Sequence, residues 1–183
     1  MSAASMTETT QYLTFKLEDE VFALDISKVR EVLDFTAVTK VPQTPEFMLG
    51  VINLRGSVVP VVDMRLKFGM SKTERSVNTC IIIVEIEMDG ETTVLGALAD
   101  SVREVMELNS GQIEPPPRIG TRLQTRFIRG MGRRDDDFII ILDIDRVFSA
   151  DELDIVHGGE PGQRGEAVVP APPPREMVAN AAR

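Results

Sequence analysis

The chain has 183 residues, 43% apolar and 27% charged, with a formal net charge of −9. That length suits one medium domain or two small ones sharing a core, and the apolar share is enough to bury a sizeable interior. The acidic balance argues against free nucleic acid and anionic membrane surfaces as partners, because phosphate binding needs a basic face.

The single cysteine, Cys80, excludes an intramolecular disulfide and fits a reducing compartment. The first ten residues carry neither the basic nor the apolar region of a secretory signal. No run approaches the roughly 20 apolar residues of a spanning helix. The protein is therefore expected in the cytoplasm, without direct membrane insertion.

Residues 1–10 read as a frayed polar terminus. Tyr12 to Leu17 alternates with period two, Leu13, Phe15 and Leu17 on one face and Tyr12, Thr14 and Lys16 on the other. That pattern predicts a half-buried strand. A tight acidic turn, Glu18-Asp-Glu20, leads to a second strand over Val21–Asp25. Thr44 to Gly50 carries an N-cap, a proline at the first position and a terminal glycine, so it predicts a short helix. Val58–Val62, Cys80–Val84 and Phe138–Leu142 are β-branched runs expected to be buried on both faces. Pro60 points to an edge or a bulge in the first of them. Asp63 to Gly69 predicts another short helix docked on a sheet. Asp89-Gly90 is a hairpin signal.

A duplication organises these elements. Val29-Arg-Glu-Val32 recurs as Val102-Arg-Glu-Val105, and Phe22–Asp25 lies in register with Leu95–Leu98, both at an offset of 73. Phe47-x-x-Gly50 recurs as Phe127-x-x-Gly130 at an offset of 80, shared by Val58–Val62 and Phe138–Leu142, each followed by or ending near an aspartate, Asp63 and Asp143. An insertion around Glu114-Pro-Pro-Pro-Arg118 accounts for the change of offset. The domain then spans residues 11–157, with halves of about 11–70, completed by C-terminal packing, and 77–150. Two strand-rich halves of about five strands each suggest two small barrels with a groove at their boundary. Residues 158–183, rich in proline and glycine, read as a disordered tail. Its Pro170-x-x-Pro173-x-Arg175 is a polyproline pattern, cheap in such a tail.

Catalytic chemistry is sparse. His157 is the only histidine and Cys80 the only cysteine, so no His- or Cys-based metal cluster is expected. Cys80, in an apolar strand, reads as a small buried hydrophobe. No phosphate-cradling glycine loop occurs. Asp135-Asp-Asp137 lacks the alternating ligands of a calcium loop and reads as a solvated turn, partly neutralised by Arg133-Arg134. An enzyme is not expected, nor is any cofactor or metal.

The run Gly50-Val-Ile-Asn-Leu-Arg-Gly-Ser-Val-Val-Pro-Val-Val-Asp63 resembles the signature of the CheW family of chemotaxis coupling proteins. Ala23–Val32 and Gly96–Val105 resemble its neighbouring segments, and the resemblance covers about residues 11–153. It implies an all-β fold with short helices: two SH3-like five-stranded β-barrels related by a pseudo-twofold axis. It also implies a cytoplasmic scaffold at receptor arrays. One surface would bind the regulatory domain of the histidine kinase CheA, and another the tip of a chemoreceptor's cytoplasmic hairpin. A CheW-like adaptor of a pilus or other non-flagellar pathway is the alternative.

Carried over by position, the resemblance assigns Val29, Glu31, Gly50, Arg55 and Val105 to receptor binding, and Leu13 and Ile26 to the kinase face. A helix seated in a groove needs apolar anchors flanked by polar groups that fix its register. Val29 and Val105 would line such a groove from two sides, with Glu31 and Arg55 paired beside it. Gly50 and Gly56 also read as backbone requirements, a helix end and a turn.

Overall fold

Short β-branched runs separated by two-residue turns pair first with their chain neighbours, and here four such hairpins form. The computed structural model describes residues 8–88, 90–116 and 127–148. The strands are β1 (Thr9–Leu17), β2 (Glu20–Asp25), β3 (Val29–Asp34), β4 (Met48–Leu54), β5 (Ser57–Asp63), β6 (Cys80–Met88), β7 (Glu91–Ala99), β8 (Ser101–Asn109), β9 (Ile113–Glu114), β10 (Ile128–Arg134) and β11 (Asp137–Leu142). Two one-turn helices, α1 (Met64–Lys67) and α2 (Ile144–Val147), follow β5 and β11.

The first sheet has the order β8-β1-β2-β11-β10-β9 and the second β3-β6-β7-β5-β4. These are the two SH3-like five-stranded barrels, the first extended by the two-residue β9. The chain crosses between sheets after β2, through a 3-10 turn over Ile26–Lys28, and again at Asp100 between β7 and β8. Each barrel therefore takes strands from both sequence halves, and no sheet boundary falls between residues 70 and 77.

The pseudo-twofold relation holds to the level of single pairs. Ala23 of β2 lies parallel to Ile141 of β11, and Gly96 of β7 to Val61 of β5. Both glycine repeats sit at register shifts, Met48/Gly50 and Ile128/Gly130. Asp63 N–H donates to the Phe47 carbonyl at 2.8 Å and Asp143 N–H to the Phe127 carbonyl at 2.9 Å.

Three apolar clusters follow from this layout. Tyr12, Ala23, Leu108, Ile139 and Ile141 pack together on the first sheet. Ile52, Val59, Val61, Ile81, Ile83 and Leu98 pack on the second. A larger cluster, including Leu13, Phe15, Phe22, Val62, Phe68, Ile82, Leu95 and Phe148, joins the two. Phe15, Phe22, Phe68 and Phe127 form a continuous run of ring contacts through it.

Several local expectations change. β1 is covered on both faces, because Tyr12 and Thr14 are as buried as Leu13 and Phe15. Thr14 is satisfied there: its hydroxyl donates to the Glu104 carbonyl and accepts from Glu104 N–H where β1 and β8 shift register. The helix expected over Thr44–Gly50 is a single turn closed by Met48 N–H to the Pro45 carbonyl. Met48 and Gly50 instead join the β4–β5 ladder, whose repeated hydrogen bonds outweigh one isolated helical turn. Gly50 is accordingly a strand residue and not a helix end. Pro60 lies in an internal strand, but it pairs only with Val51 of β4, and the β7 ladder begins at Val61. Its missing N–H thus costs no bond to β7.

Val58 and Phe138, repeat equivalents, are 73% and 51% exposed at the open ends of their strands, and so escape the burial expected of both runs. Glu20 opens β2 and lies outside the turn, which is Glu18-Asp19. The second helix is as expected: Asp63 caps α1, and Gly69 follows at φ 81°. The β6–β7 hairpin also forms, Met88 facing Glu91, although Asp89 itself lies outside the described residues. Arg118, His157 and the segment 158–183 lie outside them too.

Candidate functional site

β3 and β8 are edge strands, one on each sheet, and both carry the Val-Arg-Glu-Val repeat. β3 pairs with β6 and shifts register between Val29 and Glu31. The shift keeps Val29 partly buried against the joining core, opposite Val84. The Glu31 side chain is met by Arg55 from the β4–β5 turn. Arg55 occupies that turn at φ 52°, followed by Gly56 at φ 88°, with the Asn53 side chain accepting from Gly56 N–H at 2.8 Å.

Arg55 donates to Glu31 twice, Nη1 to Oε2 at 2.6 Å and Nη2 to Oε1 at 2.9 Å. This two-pronged geometry fixes the planes of both groups as well as their separation. The hydrogen bond from Arg55 holds the Glu31 carboxyl below its ordinary value, and the charges of Arg55 and Arg30 act in the same direction. The pair stands at a half-open groove of about 600 Å³ lined by residues including Val58, Pro60, Thr93 and Val94.

Gly50 has φ 150°, and a Cβ there would meet the Thr39 carbonyl oxygen at 2.2 Å. The glycine lets Thr39 bridge to Val51, N–H to carbonyl in both directions at 2.9 Å. Its close neighbour is therefore the chain's own backbone.

Val105 is 48% exposed on β8, and its cross-strand partner is Leu13. Leu13 is buried in the joining core and presents almost no surface of its own. Ile26 is partly buried in the 3-10 turn and packs against the same core. The structure brings Glu31 to Arg55 and Leu13 to Val105; it sets Val29 and Val105 on the edges of different sheets.

Sequence reasoning missed a counterpart of the ion pair. Glu104, the repeat equivalent of Glu31, is held by Arg134 of the β10–β11 hairpin at 2.6 Å. The repeat offset was a signal for Glu104, while Arg134 stands one residue before the position equivalent to Arg55. Arg133 pairs with Glu114, so both arginines have carboxylate partners outside Asp135-Asp-Asp137, while Arg134 lines one cavity with Asp135 and Asp137. Val32, 41% exposed, is likewise the β3 equivalent of Val105. Cys80 is buried, and that burial, with the Asp34 charge next, pushes its thiol up to about 11. Among the described residues, no helix is long and apolar enough to cross a membrane.

The family model for the CheW-like domain matches residues 11–152. A chemotaxis protein CheW of Klebsiella aerogenes is 34% identical over 146 residues, covering 80% of this chain and 86% of the relative. A CheW of Thermotoga maritima is 30% identical over 151 residues, covering 81% and 92%. The crystal structure of the scaffolding protein TtCheW from Thermoanaerobacter tengcongensis superposes with a TM-score of 0.70 at 36% identity, covering 83% of this chain and 96% of that one. The duplicated barrels and these matches agree: this chain belongs to the CheW-like family.

Proposed function

We propose that this chain is a non-catalytic scaffold of chemotaxis signalling, coupling the cytoplasmic hairpin tip of a chemoreceptor to the regulatory domain of the histidine kinase CheA at receptor arrays. The observation that carries this reading is the Glu31–Arg55 pair on an edge strand, preorganised at the mouth of an open groove. Preorganised polar groups beside exposed apolar side chains suit recognition of a helical partner, where anchors supply affinity and polar groups fix register. The names of the relatives, chemotaxis and scaffolding proteins, support the same reading.

On this reading Val29, Glu31, Arg55 and Val105 serve the receptor surface, and Gly50 keeps the neighbouring backbone close. Ile26 belongs to the kinase face, and Leu13 lies in the core cluster against which Ile26 packs. The experiment is to measure the affinities of the purified protein for a CheA regulatory domain and for a receptor hairpin fragment from the same cell. Micromolar binding to both, lost separately by substitutions on the two faces, is the expected result. Binding to neither partner would overturn the proposal.

A further inference from the structure

The core that joins the two barrels is apolar, drawing on β1, β2, β4 to β7, β10, β11 and both helices. Apolar burial is non-directional, and charge-assisted hydrogen bonds add fixed directions to it. Directional contacts occur at the two places where the chain passes from one sheet to the other.

At the β7–β8 crossover, Asp100 accepts from Arg65 of α1, Nε at 3.0 and 3.1 Å and Nη2 at 2.5 Å. Asp100 also accepts from Glu18 N–H, in the β1–β2 turn, at 2.7 Å. Glu18 Oε2 in turn lies 3.7 Å from Arg65 Nη1. The helix after a second-sheet strand is thereby tied to a first-sheet hairpin. At the β2–β3 crossover the arrangement recurs with the charges exchanged. Lys28 donates to Asp145 of α2 at 3.0 Å, and Asp145 accepts from Glu87 N–H, near the β6–β7 turn, at 2.9 Å. Here the helix after a first-sheet strand is tied to a second-sheet hairpin. Arg65 and Asp145 stand at the repeat offset, so equivalent helix positions carry opposite charges, each matched by its crossover partner.

Both clamps lie at the roots of the edge strands. β3 begins at Val29, directly after Lys28, and β8 begins at Ser101, directly after Asp100. We propose that Arg65–Asp100 and Lys28–Asp145 are positioning pairs, setting the orientation of one barrel against the other and with it the relative placement of β3 and β8. They touch no partner. They act through Val29 and Glu31 on one edge and Val105 on the other, and this part rests on the receptor-binding reading above. Opposite charges at the equivalent helix positions also penalise mispairing, because Arg65 facing Lys28 or Asp100 facing Asp145 would repel.

The test uses Asp145→Asn and Asp100→Asn in the full chain. Each keeps an oxygen for the hairpin N–H and removes the charge opposite its cation. Residual dipolar couplings, fitted separately for the two barrels, read their relative orientation without any partner. A changed orientation in both variants is expected, with receptor-hairpin affinity falling about tenfold. Should Asp100→Asn fail to fold, Asp145→Asn and Lys28→Met at the more exposed clamp decide the matter. Unchanged orientation in the folded variants overturns the proposal whatever happens to binding. If the parent binds no receptor hairpin, the functional reading fails, and the orientation measurement still decides the clamps.

Discussion

Arg55 reaches from the β4–β5 turn to the middle of β3 and holds both carboxylate oxygens of Glu31, at 2.6 and 2.9 Å. Two residues 24 positions apart are thus locked into one polar unit on a sheet edge.

Glu31→Lys is expected to weaken binding of a receptor hairpin while leaving the melting temperature nearly unchanged. The pair is exposed, so the loss should sit mainly in the association rate and shrink at high salt. Glu31→Lys combined with Arg55→Glu restores the attraction with reversed polarity and should recover part of the binding. Biolayer interferometry at two salt concentrations checks both; equal affinity in mutant and parent would count against a receptor role for Glu31.

The same pair sets a pH response. Arg55 lowers the Glu31 value below the ordinary 4.5. A carboxyl lowered on folding contributes its interaction fully above the unfolded value, and loses it as pH falls through the folded one. The ion pair therefore persists at neutral pH and breaks only in acid, below the usual carboxylate midpoint. Carboxyl-carbon NMR titration should place Glu31 below 4.5 in the parent and higher in Arg55→Ala.

Gly50→Ala should destabilise strongly. The backbone strain at φ 150° costs about 1–3 kcal/mol, and the overlap with Thr39 O forces the local chain to move as well. Gly56→Ala, with open space around its Cβ, should cost only about 1 kcal/mol from its positive φ. Urea unfolding of the two variants measures the difference.

Asp63→Ala should cost about 3 kcal/mol, because Asp63 is buried and accepts from Arg65 N–H, Leu66 N–H, and both the N–H and hydroxyl of Thr73. Asp143→Ala at the equivalent cap, where the side chain is 31% exposed and the bond to Arg146 N–H is long, should cost about 1 kcal/mol. Thermal unfolding distinguishes them.

Cys80 should resist thiol reagents at pH 8, since little thiolate forms with a value of about 11 and the sulfur is buried. Fast labelling is expected only in denaturant. Rapid reaction of the native protein would show that β6 opens at its start.

The periodic runs, the Asp63 cap and the Val-Arg-Glu-Val repeat were legible in the linear chain because strand alternation, helix capping and duplication are local or self-referential signals. The repeat also placed Glu104 where Glu31 stands, although its partner Arg134 lies one residue before the position equivalent to Arg55. What the sequence by itself determined was the all-β class, the duplication and the candidate pair of Glu31 with Arg55. Tertiary structure alone decided that the two halves exchange strands, that Tyr12 and Thr14 are buried as deeply as Leu13, and that Pro60 sits inside a sheet. It alone brought Lys28 to Asp145 across 117 positions. Burial depends on which sheet packs over a face, and long-range ion pairs depend on which crossover meets which helix; neither quantity is written in any local window of residues.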